Sequence, residues 1–414
     1  MKLHSVVLSI ALCAVPAAAQ VATGIDVLEA QNFAQLKPIA AKHGGHLRLA
    51  VLTNPVGVDA HERRTIDVLR KDAAAAVPGL SVVTLFSAEH GIAAALDKSD
   101  VGNDVDHDSG LPIVSIYGST EAKRHPSPQQ LAGLDAVVID LQDVGVRYWT
   151  FQALMGYFLE ASEANNIDII VLDRPNPVNG VAVEGPVSTS GRENYVNPFA
   201  EPMRPGMTMG ELAAFFNGEK HLQAQLTVIK MTGWHRKDWY DDTGLLWVNP
   251  SPNIRSLTQS IVYLGTGLLE GTNVNVKGPT EAPFERFCAP WIVATQLSAY
   301  LNARRIPGAS FMPIYYVPAG EERYPYRGEH CEGVEVIVTD RNALDAPELG
   351  VEAVSAIWKL YPKSFQVDRV DRLLLNHGVL DQIKAGTDPR EIAAGWQKDL
   401  NAFKARRQLY LLYK

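Results

Sequence analysis

Glu89 and His90 stand where an apolar run, 82–86, gives way to a glycine turn at Gly91. In an open α/β sheet, ligands bind beyond the carboxyl ends of the strands, so an acid at this place is positioned for proton transfer. The same carboxylate also suits a duller role, as a helix cap or the partner of a nearby base. Three further groups follow apolar runs in the same manner: Asn54; Asp140, Gln142 and Asp143; and Asp173, Arg174 and Asn176. Each alone reads as a turn or cap residue. Together they are expected around one crevice, because consecutive parallel strands bring their carboxyl ends to the same edge.

The elements that must position these groups are legible as runs. Stretches 47–52, 81–86, 113–117, 136–139 and 168–172 are rich in Val, Ile and Leu without polar alternation, which predicts parallel strands buried on both faces. Phe151, Leu154, Met155, Phe158 and Leu159 recur at helical spacing, so a helix covers the sheet between the last two strands. Beyond residue 180, residues 207–216 predict a helix, 226–231 a strand and 396–407 a basic helix. Pro250 and Pro252 make 247–253 a rigid, non-helical segment that joins two domains. The expected fold is α/β, with a Rossmann-like doubly wound N-terminal subdomain over 20–250 and a smaller α+β C-terminal subdomain over 251–414.

Lys2, an apolar stretch 6–15 and Ala17-Ala18-Ala19 before Gln20 have the layout of a signal peptide over 1–19. Its apolar stretch is well short of the roughly 20 residues of a membrane span. An exported protein, periplasmic or secreted and without a membrane anchor, is expected. The formal charge of -8, from 38 basic and 46 acidic residues, becomes 37 - 46 = -9 once Lys2 is removed. The basic residues are scattered, which argues against nucleic acid as a partner. After the first apolar run the chain reads Thr53-Asn54-Pro55-Val56-Gly57, with no G-x-G-x-x-G and no Walker lysine loop, so no nucleotide is implied. Asp104, Asp106 and Asp108 superficially match a calcium loop, but Ser109 and Ser115 stand where a glycine and a bidentate acid are needed. No metal or other cofactor is expected. Cys288 and Cys331 are open to two readings, a disulfide in an exported chain or two buried thiols.

Six motifs then occur in a telling order: Glu89-His90-Gly91, Asp140-Leu141-Gln142-Asp143-Val144-Gly145, Leu172-Asp173-Arg174-Pro175-Asn176-Pro177, Gly206-Met207-Thr208 with Gly210-Glu211-Leu212, Pro250-Ser251-Pro252-Asn253 and Glu270-Gly271-Thr272-Asn273. In this the chain resembles the NamZ-like exo-β-N-acetylmuramidases, bacterial glycoside hydrolases of peptidoglycan recycling. The resemblance implies two subdomains with an active-site cleft between them, release of N-acetylmuramic acid from the non-reducing end of peptidoglycan fragments, and Glu89 as the favoured catalytic residue. Three places depart from the family pattern. Ala93 and Ala94 follow Ile92 where relatives have Arg-Gly, Pro205 replaces a common histidine, and Asn275-Val276-Lys277-Gly278-Pro279-Thr280 replaces Ser-Glu-Gly-Arg-Gly-Thr.

Cleaving a glycosidic bond requires an acid for the leaving oxygen and usually a second carboxylate as base or nucleophile. Glu89, with His90 beside it, is the expected acid, its proton held by the hydrophobic strand end. Asp140, Asp143, Asp173 and Glu270 are candidates for the second role, and the 2-acetamido group of the substrate offers a third route. The lactyl carboxylate of muramic acid calls for an arginine, and Arg174 and Arg147 lie nearest the expected crevice unless they brace loops through Asp173 or Asp143. Asn54, Gln142, Asn176, Asn253, Thr272 and Asn273 supply further polar contacts. Tyr148, Trp149 and Trp247 offer sugar-stacking faces. A non-catalytic periplasmic protein that captures muropeptides fits the same two-lobed plan, and a nucleotide-dependent oxidoreductase is disfavoured by the missing glycine fingerprint.

Overall fold

Alternate residues of the apolar runs face opposite ways. In the computed structural model, which describes residues 21–278, 281–320 and 322–414, Leu49 and Val51 pack beneath the helices Gly24–Ala30 and Leu36–Lys42. Ala50 and Leu52 pack on the other face, in the same core as Phe151, Leu154 and Phe158 of the helix Thr150–Asn165. A strand covered on both sides has little solvent face to mark with polar residues, which is why these runs are mainly apolar without alternation.

The strands are β1 Leu47–Thr53, β2 Leu80–Ser87, β3 Asp104–Val105, β4 Pro112–Ser115, β5 Ala136–Asp140, β6 Asp168–Leu172, β7 Glu184–Val187, β8 Pro202–Arg204 and β9 Gln225–Ile229. Seven of them form one sheet in the order β3-β4-β2-β1-β5-β6-β9. All its pairings are parallel except that of the short edge strand β3 with β4. β7 and β8 form a separate antiparallel pair. The α/β class and the doubly wound arrangement are as expected. Two details differ. The strand expected over 113–117 ends at Ser115, which releases Tyr117 into the loop beyond. The strand expected over 226–231 is β9, and it completes the edge of this same sheet beside β6.

The C-terminal region adds an antiparallel sheet, β10 Arg286–Ala289, β12 Cys331–Val338 and β11 Ala309–Tyr316 in that spatial order. The helices Leu257–Thr266 and Ala346–Leu360 pack almost backbone to backbone. A Cβ on Gly265 would lie 2.0 Å from the carbonyl oxygen of Ala346, and one on Gly350 would lie 2.5 Å from that of Gly265. The basic helix expected over 396–407 begins at Gln397, after a break at Trp396. It packs back on the N-terminal half, where Arg407 donates to the carbonyls of Pro205 at 2.9 Å and Gly206 at 2.7 Å.

Cys288 and Cys331 are buried free thiols on adjacent strands, and burial pushes both thiol pKa values up. Arg64 neutralises the acidic turn, its Nη1 lying 2.8 Å from Asp106 and 3.2 Å from Asp108. The expected signal peptide lies outside the described residues. Among these, no helix is long and apolar enough to cross a membrane.

Candidate active site

A cavity of about 630 Å³ opens where loops after β2, β4 and β5 meet loops of the C-terminal region. That volume is in the usual range for a small-molecule site. Glu89, Tyr117, Trp149 and Thr150 line it from one side, and Glu270, Lys277, Tyr324 and Arg372 from the other.

The turn that presents Glu89 is built from strained backbone. β2 ends at Ser87, and His90 and Gly91 follow with φ of 71° and 74°. The left-handed region costs a side-chain-bearing residue about 1 kcal/mol or more. His90 is held there by its ring, whose Nδ1 donates to the carbonyl of Leu96 at 2.6 Å. Glu89 is half-buried, and both of its oxygens have hydroxyl partners. Tyr117 donates to Oε1 at 2.8 Å, and Thr150, the first residue of its helix, donates to Oε2 at 2.7 Å. Burial and the neighbouring Glu89 charge push the Tyr117 phenol well above its ordinary range. It therefore keeps its hydrogen and remains a donor.

Glu270 follows the 3-10 turn Gly267–Leu269 and is differently partnered. It forms an ion pair with Lys277, and the Tyr263 hydroxyl lies 3.5 Å away. Lys277 also lies 3.9 Å from Asp97, which accepts from Asn253 at 3.1 Å and from Arg323 and Tyr324. Burial opposes the Lys277 ammonium, but Glu270 and Asp97 outweigh it and raise its pKa. Burial likewise works against the Asp97 carboxylate, yet Lys277, Tyr324 and Arg323 hold its pKa below the usual value. The result is a charged belt linking the loop after β2 to both sides of β10.

Of the residues singled out by sequence, Glu89, His90, Tyr148, Trp149, Asn253, Glu270 and Thr272 line the cavity. Others lie elsewhere. Asp140 is fully buried, accepting from Arg174 Nε at 2.5 Å and Nη2 at 3.1 Å and from Thr65 at 2.5 Å. Arg174 thus braces Asp140, where the sequence had suggested Asp173 as its partner. Asp173 instead accepts from Thr208 and Gly210 at 2.8 Å and from Tyr413 at 2.6 Å. Asp143 accepts from Gln152 at 2.7 Å and from the backbone of Gly145, stiffening the loop that delivers Tyr148 and Trp149. Burial raises its pKa to about 7, and that of Asp173 to about 6.

Arg147 spans the two halves, donating to the carbonyls of Glu201 at 3.2 Å, Leu374 at 3.0 Å and Leu373. Gln142 donates to the carbonyls of Asp143 and Pro175, Asn176 to that of Met207, and Asn54 accepts from the amide of Val56. Asn273 ties down the 364–366 loop through Ser364 and Gln366. Apart from Asn273, these positions share a physical reason. The polar groups at the ends of β1, β5 and β6 turn into their own loops and bond there, although Asn54 Nδ2, Gln142 Oε1 and Arg147 Nε are buried without a partner, and the cavity opens instead beside β2, β4 and the 148–150 segment. Tyr117, Thr150, Asp97 and Lys277 escaped sequence reasoning as site residues. The place of Tyr117 beyond β4 was the available signal.

Comparison with known proteins agrees with this architecture. Residues 49–258 match the N-terminal family model of exo-beta-N-acetylmuramidase NamZ, and residues 261–413 match the C-terminal one. The chain is 36% identical over 398 residues to the peptidoglycan beta-N-acetylmuramidase NamZ of Bacillus subtilis strain 168, covering 95% of this chain and 92% of that protein. Two crystal structures of DUF1343 family proteins from Bacteroides fragilis superpose with TM-scores of 0.83 and 0.73. Their identities are 33% and 25%, they cover 95% and 96% of this chain, and each is covered over 99% of its own length.

Proposed function

Since the chain belongs to the NamZ family of exo-β-N-acetylmuramidases, we propose that it is an exo-acting glycoside hydrolase that releases N-acetylmuramic acid from the non-reducing end of peptidoglycan fragments. The observation that carries the reading is one cavity in which, apart from Glu121 paired with Arg124, two carboxylates have different partners, Glu89 among neutral hydroxyls and Glu270 beside an ammonium. A hydroxyl can either donate or accept, so the partners of Glu89 tolerate both a carboxylate and a carboxylic acid. Glu89 protonates the leaving glycosidic oxygen. Glu270, ion-paired with Lys277, supplies negative charge for the oxocarbenium-like state or for activating water. Trp149 and Tyr148 reach the same cavity from largely buried positions, their rings packed on Phe151 and Tyr263.

Capture without turnover draws no support from the curated relative, whose name is that of an enzyme. Export to the periplasm or beyond is part of the proposal. It is supported by the charged start, apolar stretch and small-residue site of 1–19. Incubation with a muramic acid-terminated disaccharide tests the function. Release of free N-acetylmuramic acid is expected, and saturable binding without released sugar would replace the hydrolase with a binding protein.

A further inference from the structure

We infer that Arg369 and Arg372 form a carboxylate-binding site in the cavity wall, which takes the acid carried on the muramic acid residue, either its own lactyl group or the carboxylates of a peptide attached through it. The inference rests on the N-acetylmuramidase reading. Arg369 lies in the 3-10 turn Val367–Val370 and Arg372 in the short helix Asp371–Leu374. Both are exposed and both line the cavity.

Their own neighbours leave them free. Asp368 is taken by Lys384 at 2.7 Å, and Asp371 by the two Nη atoms of Arg192 at 3.0 and 2.7 Å. Among the described residues, no carboxylate pairs with the guanidinium of Arg369 or Arg372. The other cations of the wall are matched, Lys277 with Glu270, Arg323 with Asp97 and Arg124 with Glu121 at 3.6 Å. In a chain of formal charge -8 that otherwise pairs its cavity cations, two unmatched guanidiniums on one wall are a place for an external anion.

The support beneath them is rigid. Arg147 is anchored on the carbonyls of Leu373 and Leu374, immediately after Arg372. Arg372 also runs alongside Gly271, where a Cβ would sit 3.3 Å from its Cδ. Gly271 directly follows Glu270, so the proposed site borders the Glu270 carboxylate. The planar fork of arginine matches the two oxygens of a carboxylate.

The test compares binding of N-acetylmuramic acid, N-acetylglucosamine and a muramyl peptide to the full chain and to an Arg369→Gln/Arg372→Gln variant, alongside turnover of a chromogenic N-acetylmuramide. The parent is expected to prefer the acid-bearing ligands, and the variant to lose about 10-fold to 100-fold of that preference. Loss confined to N-acetylmuramic acid assigns the site to the lactyl group, and loss confined to the muramyl peptide assigns it to peptide carboxylates. Equal weakening of all three ligands, or a preference that survives in the variant, overturns the site. If the parent shows the preference and the variant loses it while neither cleaves the chromogenic substrate, the hydrolase reading fails and the carboxylate site stands.

Discussion

Tyr117 donates its phenolic hydrogen to Oε1 of Glu89 across 2.8 Å, and it can do so because β4 stops two residues earlier, at Ser115. With Thr150 on the other oxygen, the carboxyl group is fixed in orientation before substrate arrives. Glu89→Gln is expected to retain the fold and sugar binding but to lose about 100-fold to 10,000-fold in kcat, the usual contribution of general acid catalysis. Tyr117→Phe removes one of two orienting bonds and is expected to cost roughly 2-fold to 10-fold. Turnover of Glu89→Gln within a few-fold of the parent would remove this residue from the chemistry.

Lys277 and Glu270 make a coupled pair, so their variants should not be additive. Lys277→Met leaves Glu270 without its cation and is expected to cost roughly 1 to 3 kcal/mol of stability as well as activity. Adding Glu270→Gln removes the stranded charge. The double variant is expected to recover stability, read from urea unfolding, while its kcat stays low.

Asp143 predicts a pH dependence of stability. Its pKa is raised from 3.8 to about 7 in the folded protein, chiefly by burial. Between these values the unfolded chain releases a proton that the folded chain keeps. Stability from this group is therefore full below about pH 4 and is lost as pH rises to about 7, at about 1.4 kcal/mol per unit of separation. Asp143→Asn abolishes the titration, so the variant should gain on the parent in unfolding free energy between pH 5 and pH 8. A parent-minus-variant difference that does not change over this range would contradict the assignment.

Arg174 is placed as a brace, and that role separates from sugar recognition in one experiment. Arg174→Ala leaves the Asp140 carboxylate buried without its cation, which typically costs about 3 to 5 kcal/mol. Thermal unfolding should fall accordingly. The ratio of N-acetylmuramic acid to N-acetylglucosamine affinity should not move, and a selective loss of the muramic acid sugar would return Arg174 to the site.

Local patterning was enough to determine the sheet and its covering helices, because a strand buried on both faces is apolar along its buried length, as 136–139 and 169–172 are. It also placed Glu89 at the carboxyl edge where the cavity opens, since the end of β2 and the turn at His90 and Gly91 are encoded within a few residues. Which polar groups share a cavity was decided only by tertiary structure. Asp140 and Arg174 lie at the carboxyl edge as expected, yet they neutralise each other beneath a closed loop. Lys277 and Asp97 lie 180 positions apart in sequence and meet beside Glu270. Charge pairing depends on separations of a few ångströms between distant segments, and one-dimensional spacing carries no measure of them.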